Sequence, residues 1–328
     1  MNNAETMNLE ARRASSLRAS RKLAIFIFAG SLIASLGGLL LRAPEGNVLG
    51  PVASVPAAAA PAAFTSLFGR EVRLDGEGLY RRDSVSFAAQ ERAQDLVTLV
   101  FGLPLLAAGF YLAGRGSLGG RLLYSGGLGY FLYCYGMMAV GTTYNEFFLL
   151  YVALFAAALY GFILSIYAID ADELALSCGK RYPRRPAIAL CIAVGLFLGL
   201  AWLGKIVIPS LLTGRAPEGL DAGSTLFVQA FDLGILVPAA ALSAFWLFRR
   251  DRRGYIAGTV LLVKGAAEGL AVSAMGFNML RVGVTESLPM ILCFLALALS
   301  ALLIGGKAVA SAGFSSDLSE RTQAKGTN

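Results

Sequence analysis

The chain has 328 residues, of which 56% are hydrophobic and only 15% are charged. Soluble domains average about 25% charged residues, so this composition predicts an integral membrane protein. The formal net charge of +7 does not indicate nucleic-acid binding, because the basic residues stand in short clusters at the ends of apolar segments. The lipid bilayer is therefore the expected partner, and nucleic acid is not.

Histidine is absent, which removes the commonest metal ligand, the usual general base and a His-ligated haem. The four cysteines, at 134, 178, 191 and 293, form no close pair, so neither a disulfide framework nor a zinc site is indicated. Nucleophile and zinc-protease motifs such as GxSxG and HExxH are also missing. We therefore predict no catalytic residue, no metal and no cofactor.

A transmembrane helix needs about 20 mostly apolar residues, and eight segments meet this requirement. They predict an all-α polytopic bundle with helices at 23–41, 94–114, 121–141, 146–168, 187–209, 224–248, 254–280 and 286–306. The expected organisation is a basic tail (1–22), an anchor helix (23–41), an external loop (42–83), a seven-helix bundle (84–306) and a second tail (307–328). The first apolar segment is long for a signal-peptide core of 7–15 residues, so we expect it to be retained; cleavage is the alternative and would leave seven helices.

The loop between the first two apolar segments begins with a stretch rich in Ala and Pro, which predicts an extended spacer. Residues 70–80 predict a small hairpin that turns at Asp75-Gly76. Asp83 or Ser84 is the expected N-cap of the next helix. Further along the chain, TYNE at 143–146 has the spacing of a capping box.

Clusters of Lys and Arg lie on alternate connections between the apolar segments, and the opposite short connections carry only Arg215 and Arg281. With eight crossings, the clusters at 12–22, 115–121, 180–185, 249–253 and from 307 onward all fall on one side. The positive-inside rule then predicts that both termini are cytoplasmic and that the protein lies in the cell (inner) membrane.

Two neighbouring apolar segments carry ionisable residues far from their ends, namely Asp232 in the first and Lys264 with Glu268 in the second. Each such charge costs about 2.5–3.5 kcal/mol near the bilayer centre, so these groups must pair or face water. A rise of 1.5 Å per residue from opposite boundaries gives Asp232 and Lys264 heights that agree to about 3 Å. We predict a ladder with Gln229 and Glu268 above Asp232 and Lys264.

This ladder is interpreted as the bottom of a cavity open to the outside. Pro238 supports the interpretation, because a proline removes one helical hydrogen bond and broken helices recur at midplane transporter sites. Gln94 and Asp95 are expected to complete the rim, and Asn145, on the same outer side, is a further candidate for binding a ligand or ion. Small residues at 265, 269 and 273 give a thin helix that leaves room for a solute; tight helix packing is the alternative explanation of them.

These features favour a carrier or channel for a small solute or ion. A membrane sensor or assembly partner without transport is the alternative, and an intramembrane enzyme is less expected. A retinal protein is disfavoured, because the turn that precedes Lys264 offers no carboxylate.

Three segments of the chain resemble those of uncharacterised bacterial multi-pass membrane proteins. They are residues 89–100 (AQERAQDLVTLV), 143–152 (TYNEFFLLYV) and 232–238 (DLGILVP). The resemblance implies the topology and no particular activity.

Overall fold

The computed structural model describes residues 3–41, 63–217, 219–221 and 223–313. Most of the Ala/Pro-rich spacer and the last part of the C-terminal tail lie outside these residues. The α-helices are α1 (Asn3–Leu40), α2 (Val85–Val97), α3 (Leu103–Gly114), α4 (Leu118–Gly141), α5 (Phe148–Tyr167), α6 (Ala171–Cys178), α7 (Arg184–Gly199), α8 (Ile208–Thr213), α9 (Phe227–Phe231), α10 (Val237–Phe248), α11 (Arg252–Arg281) and α12 (Leu288–Gly313). Two strands, β1 (Ala63–Thr65) and β2 (Glu71–Arg73), a 3-10 turn (Gly179–Arg181) and three π-helical segments complete the regular structure of the described part.

Seven helices in the described part of the chain are long and apolar enough to cross a membrane, which confirms the predicted all-α fold of a multi-pass membrane protein. They are Met7–Leu40, Val85–Gly114, Phe148–Tyr167, Arg184–Thr213, Phe227–Phe248, Arg252–Arg281 and Leu288–Ala312. Three of them are composite, since α2 continues into α3, α7 into α8 and α9 into α10.

The remaining predicted span forms α4, a helix of 24 residues that is rich in glycine and tyrosine and is not among the seven. Its composition fits its position, because α4 packs against α3, α5, α11 and α12 and most of its residues are buried. Glycines allow this close packing. A Cβ at Gly126 would lie 2.4 Å from Val263 of α11, and one at Gly109 of α3 would lie 2.6 Å from the backbone of Tyr124.

Helix α1 begins at Asn3, so the basic segment predicted as a separate tail is a continuous extension of the anchor helix. Ser20, within this segment, is fully buried, donates a hydrogen bond to the carbonyl of Gly161 (2.7 Å) and lies 3.0 Å from the hydroxyl of Tyr124. The guanidinium of Arg21 stacks 4.1 Å from the ring centroid of Phe110. The basic segment is therefore part of the packed bundle.

Each composite span contains a π-helical segment with a proline at the second position after its end. The segments are Thr98–Gly102, Leu200–Val207 and Asp232–Leu236, and the prolines are Pro104, Pro209 and Pro238. A proline ring clashes with the carbonyl four residues earlier, and that residue lies inside the π-helical segment in all three cases. The wider turn accommodates the proline without breaking the span. The predicted disruption at Pro238 thus takes the form of a π-helical turn.

The loop before α2 differs from its prediction. Strands β1 and β2 pair antiparallel through a turn at Ser66–Arg70, and not at Asp75-Gly76. The latter pair belongs to a second closure, in which the amide of Asp75 donates to the carbonyl of Asp83 (2.9 Å). Ser84 caps α2 by accepting a hydrogen bond from the amide of Phe87 (3.1 Å), as predicted.

The connections between helices meet at two opposite ends of the bundle. At the hairpin end, named for β1 and β2, Arg81 pairs with Glu146 and the amide of Thr143 donates to Asp83 (2.8 Å). At the arginine end, Arg13 pairs with Asp170, Arg252 pairs with Asp172, and Ser177 donates to the carbonyl of Ala312 (3.0 Å). The basic clusters of the sequence gather at the arginine end.

Candidate functional site

A cavity of about 780 Å³ lies between α2, α4, α9, α11, α12 and the π-helical segment Leu200–Val207. Its lining includes Thr225 and Thr285, which lie in exposed connections at the hairpin end. Its polar inner wall carries Asp232 and Glu268, which are 5% and 8% exposed. The cavity therefore runs from the hairpin end into the interior of the bundle.

Asp232 is held by two hydrogen-bond donors that sequence analysis missed. The hydroxyl of Tyr133 donates to one carboxylate oxygen (2.6 Å), and the indole N–H of Trp202 donates to the other (2.8 Å). The three side chains come from three different helical segments, and all of them line the cavity. Both carboxylate oxygens of Asp232 are therefore satisfied by side-chain donors.

Lys264 does not form the predicted direct pair with Asp232. Its ammonium lies 3.6 Å from the ring centroid of Tyr133 and 3.7 Å from Oε2 of Glu268. Tyr133 thus connects the two charges, because its ring faces the ammonium and its hydroxyl binds the carboxylate. Lys264 is absent from the cavity lining, whereas Gln229, Asp232 and Glu268 belong to it.

Two carboxylates in the cavity wall have an oxygen without a hydrogen-bond partner among the described residues. They are Oε2 of Glu91 and Oε2 of Glu268, and each residue is only 8% exposed. Lys264 contacts the second of these oxygens only at the longer ion-pair distance given above. Both oxygens are shielded from the cavity, so a ligand would reach these two residues only through the accessible remainder of each side chain.

The remaining predicted site residues divide between the cavity and the packed core. Gln94 lines the cavity and donates to the hydroxyl of Tyr130 (2.5 Å). Asp95, one residue later, points to the other side of α2, where it accepts from the hydroxyl of Tyr80 (2.7 Å). Asn145 accepts from the amide of Phe147 (2.9 Å), and neither it nor Asp95 lines the cavity. Asp95 and Asn145 therefore lie outside the cavity that they were predicted to line.

Two other interpretations of the sequence change. Gly269 packs on α12, where an added Cβ would lie 2.8 Å from that of Ala298, so this glycine serves helix packing. None of the small residues at 265, 269 and 273 lines the cavity. The predicted capping box at 143–146 does not form, because α5 begins at Phe148 and Glu146 pairs with Arg81. That arginine hydrogen bond lowers the pKa of Glu146.

The apolar wall is dominated by methionine and aromatic side chains. Five of the seven methionines of the chain line the cavity, at 137, 138, 275, 279 and 290. Methionine adapts its shape to irregular space and is polarizable, which suits a wall that contacts variable ligands. The spacing of the methionines along α4 and α11 is visible in the sequence. It indicates a shared cavity wall only when the two helices are known to face each other.

Asp83 lies next to Glu91 at the hairpin end, near the cavity. One oxygen of Asp83 accepts from the amide of Thr143, and the other has no hydrogen-bond partner among the described residues. Burial raises the pKa of Asp83.

The described residues contain no group of three His, Cys, Asp or Glu side chains that could hold a metal ion. The seven candidate spans and the cavity between them define a multi-pass membrane protein with a deep internal cavity. Comparisons with protein-family models, curated proteins and solved structures give no match for this chain.

Proposed function

We propose that the protein is a carrier or channel for a small solute or ion, which enters the cavity from the hairpin end. The observation that carries the proposal is the cavity itself, because it extends from exposed connections to Asp232 and Glu268 inside two of the spans. Ionisable groups at such a depth are costly, and they commonly mark substrate or ion pathways.

The direction of access follows from charge. The arginine end collects the basic clusters, so the positive-inside rule assigns it to the cytoplasm together with both termini. The hairpin end and the cavity mouth then face the outside of the cell membrane. Toward the arginine end the interior is filled by a cluster of buried apolar side chains, which includes Leu122, Leu247 and Val260. This arrangement corresponds to the outward-open state of a carrier or to a closed channel.

Thiol labelling tests access to the cavity. In a variant with all four cysteines replaced by alanine, Val272→Cys on the cavity wall should react with a membrane-impermeant maleimide added from outside. Ala271→Cys, at the neighbouring fully buried position, is the matched control and should stay unlabelled. Equal protection of both positions would contradict an outward-open cavity.

Flux into proteoliposomes tests transport. The tracers are choline, isethionate and glycerol, which represent a cation, an anion and a neutral solute. We expect protein-dependent flux of at least one of them and its loss in Asp232→Asn, which preserves size but removes the charge. Unchanged flux in this variant, or no tracer exceeding protein-free liposomes, would contradict the proposal.

A sensor or assembly partner is the second candidate. It is favoured by the position of Lys264 behind Tyr133, which suggests that part of the charge cluster is structural. In that case the cavity binds a ligand without passing it on. Labelling of Val272→Cys together with absence of flux is the result that this candidate predicts.

A further inference from the structure

We infer that the ligand of the cavity is an organic cation with an apolar, partly aromatic body. This inference deepens the proposed function by naming its substrate class, and it rests on the same cavity. Three observations support it, namely the charge of the lining, the unpartnered carboxylates and the nature of the apolar wall.

The charge of the lining favours a cation. Five acidic side chains and one basic side chain, Lys205, belong to it among the described residues. The acidic ones are Glu91, Asp221, Asp232, Glu268 and Glu286. Lys264 offsets part of this charge from behind Tyr133, but acidic side chains still outnumber basic ones. A low-dielectric site of this sign attracts cations and repels anions.

The positions of Glu91 and Glu268 favour a ligand that supplies donors or positive charge. They lie on α2 and α11, which pack against each other, and both residues line the cavity. Neither Oε2 atom receives a hydrogen bond from the described residues, although each of these atoms is itself shielded from the cavity. Asp232 differs from them, because Tyr133 and Trp202 already satisfy its oxygens. We therefore assign the direct contacts with the cation to Glu91 and Glu268, and a supporting electrostatic role to Asp232.

The rest of the wall favours an apolar body rather than a hydrated metal ion. Aromatic rings of Phe87, Trp202, Phe227 and Phe294 line the cavity together with the five methionines. Aromatic faces stabilise cations, and thioethers pack well against flat or irregular apolar groups. The volume of about 780 Å³ is within the usual range of roughly 300–1,000 Å³ for sites that bury drug-sized molecules.

Tryptophan fluorescence gives a local readout of binding. The chain has two tryptophans, Trp202 in the cavity lining and Trp246 outside it, so Trp246→Phe leaves a single reporter in the cavity. The probes are tetraphenylphosphonium and tetraphenylborate, which are nearly equal in size and opposite in charge. We expect a saturable fluorescence change with the cation, and at least about tenfold weaker binding of the anion. Equal binding of both probes would overturn the inference.

Substitutions separate the site from a general charge effect. Glu268→Gln and Glu91→Gln should each weaken binding of tetraphenylphosphonium about tenfold, whereas Asp172→Asn, the same charge change at the exposed arginine end, should leave binding unchanged. Val272→Lys places a positive charge in the wall one helical turn from Glu268 without replacing an acid, and it should weaken cation binding while strengthening that of tetraphenylborate. Each variant is assayed only when it elutes as a single folded species. Unaltered cation binding in Val272→Lys would overturn the inference even if the glutamine variants do not fold.

Failure of the cation-binding inference can be distinguished from failure of the proposed transport function. If tetraphenylphosphonium binds but no tracer crosses the proteoliposome membrane, the cation site stands and transport fails. If isethionate or glycerol flux depends on the protein while the cation does not bind, transport stands and the ligand class is wrong.

Discussion

At the scale of single residues, Tyr133 explains how the bundle holds opposite charges in a low-dielectric interior. Its hydroxyl binds Asp232, and its ring lies against the ammonium of Lys264. Each charge therefore gains a partner while the two remain apart. Such an arrangement reduces the cost of burial and leaves Asp232 on the surface of the cavity.

This double role predicts an order of stabilities. Tyr133→Phe removes the hydroxyl bond to Asp232 but keeps the ring, so we expect a loss of about 1.5–3 kcal/mol, the usual range for a hydrogen bond to a charged group. Tyr133→Leu also removes the cation–π contact and should lower the melting temperature of the detergent-solubilised protein further. Tyr160→Phe, at an exposed position, is the control and should leave it unchanged. If the Phe and Leu variants melt at the same temperature, the ring does not stabilise Lys264.

Asp83 gives a prediction about pH. Because burial raises its pKa, the folded state binds more protons than the unfolded state once pH exceeds the usual carboxyl pKa of about 4. The free energy of unfolding then falls as pH rises through the raised pKa. Asp83→Asn abolishes this penalty and retains an acceptor for the amide of Thr143. It should therefore raise the melting temperature at pH 8 relative to the wild type and give no gain near pH 4.

Glu146→Gln is the control for this pH prediction, because the pKa of Glu146 is shifted in the opposite direction to that of Asp83. The pKa of Glu146 is lowered by Arg81, so its contribution is present above the usual carboxyl pKa and is lost as pH falls through the lowered value. This variant should be less stable than the wild type at pH 8 and similar to it at low pH. A gain for Glu146→Gln at pH 8, or a loss for Asp83→Asn, would contradict the assignment of these two sites.

At the scale of helices, the three proline-linked π-helical segments bring polar groups to the site. Asp232 begins one segment, Trp202 lies in another, and Thr98, which contacts the hydroxyl of Tyr130 (2.8 Å), begins the third. A π-helical turn adds a residue to the helix and so shifts the face on which later side chains stand. The prolines are visible in the sequence, and the wide turns that precede them are their structural consequence.

Glycine contacts between helices give a prediction at the same scale. Gly109→Ala would place a Cβ 2.6 Å from the backbone of Tyr124, which cannot move without separating α3 from α4. Overpacking of this kind costs about 1–3 kcal/mol, so we expect a lower melting temperature and a smaller folded yield. Gly265→Ala is the matched control within α11, since nothing lies within 4 Å of its added Cβ. Equal stability of the two variants would show that the α3–α4 contact is not tight.

At the scale of the whole molecule, the cavity and the basic clusters lie at opposite ends. The hairpin end carries the mouth, and the arginine end carries ion pairs such as Arg13 with Asp170. This polarity links the orientation in the membrane to the direction from which a ligand arrives. It also places the apolar cluster around Leu247 between the cavity and the arginine end, where the proposed carrier would have to open.

The orientation itself can be tested in intact cells. In the cysteine-free background, Thr225→Cys at the mouth should react with an impermeant maleimide added outside. Arg250→Cys at the exposed arginine end should react only after the membrane is permeabilised. The reverse pattern would place the basic clusters outside and would contradict the positive-inside assignment.

The sequence by itself determined the membrane helices, the proline interruptions and the presence of charges at matching depth. These follow from local properties, because segment length, apolarity and the rise per residue are fixed by each helix alone. The height estimate for Asp232 and Lys264 is consistent with the structure, since both contact Tyr133.

Only the tertiary structure decided which polar groups share the cavity. Gln94 and Asp95 are adjacent in the chain, yet one lines the cavity and the other faces Tyr80, since successive helical residues point about 100° apart. Glu91, Tyr133 and Trp202 become site residues because α2, α4 and the Leu200–Val207 segment converge around one space. Such convergence depends on how helices pack in three dimensions, which the periodicity of a single helix does not encode.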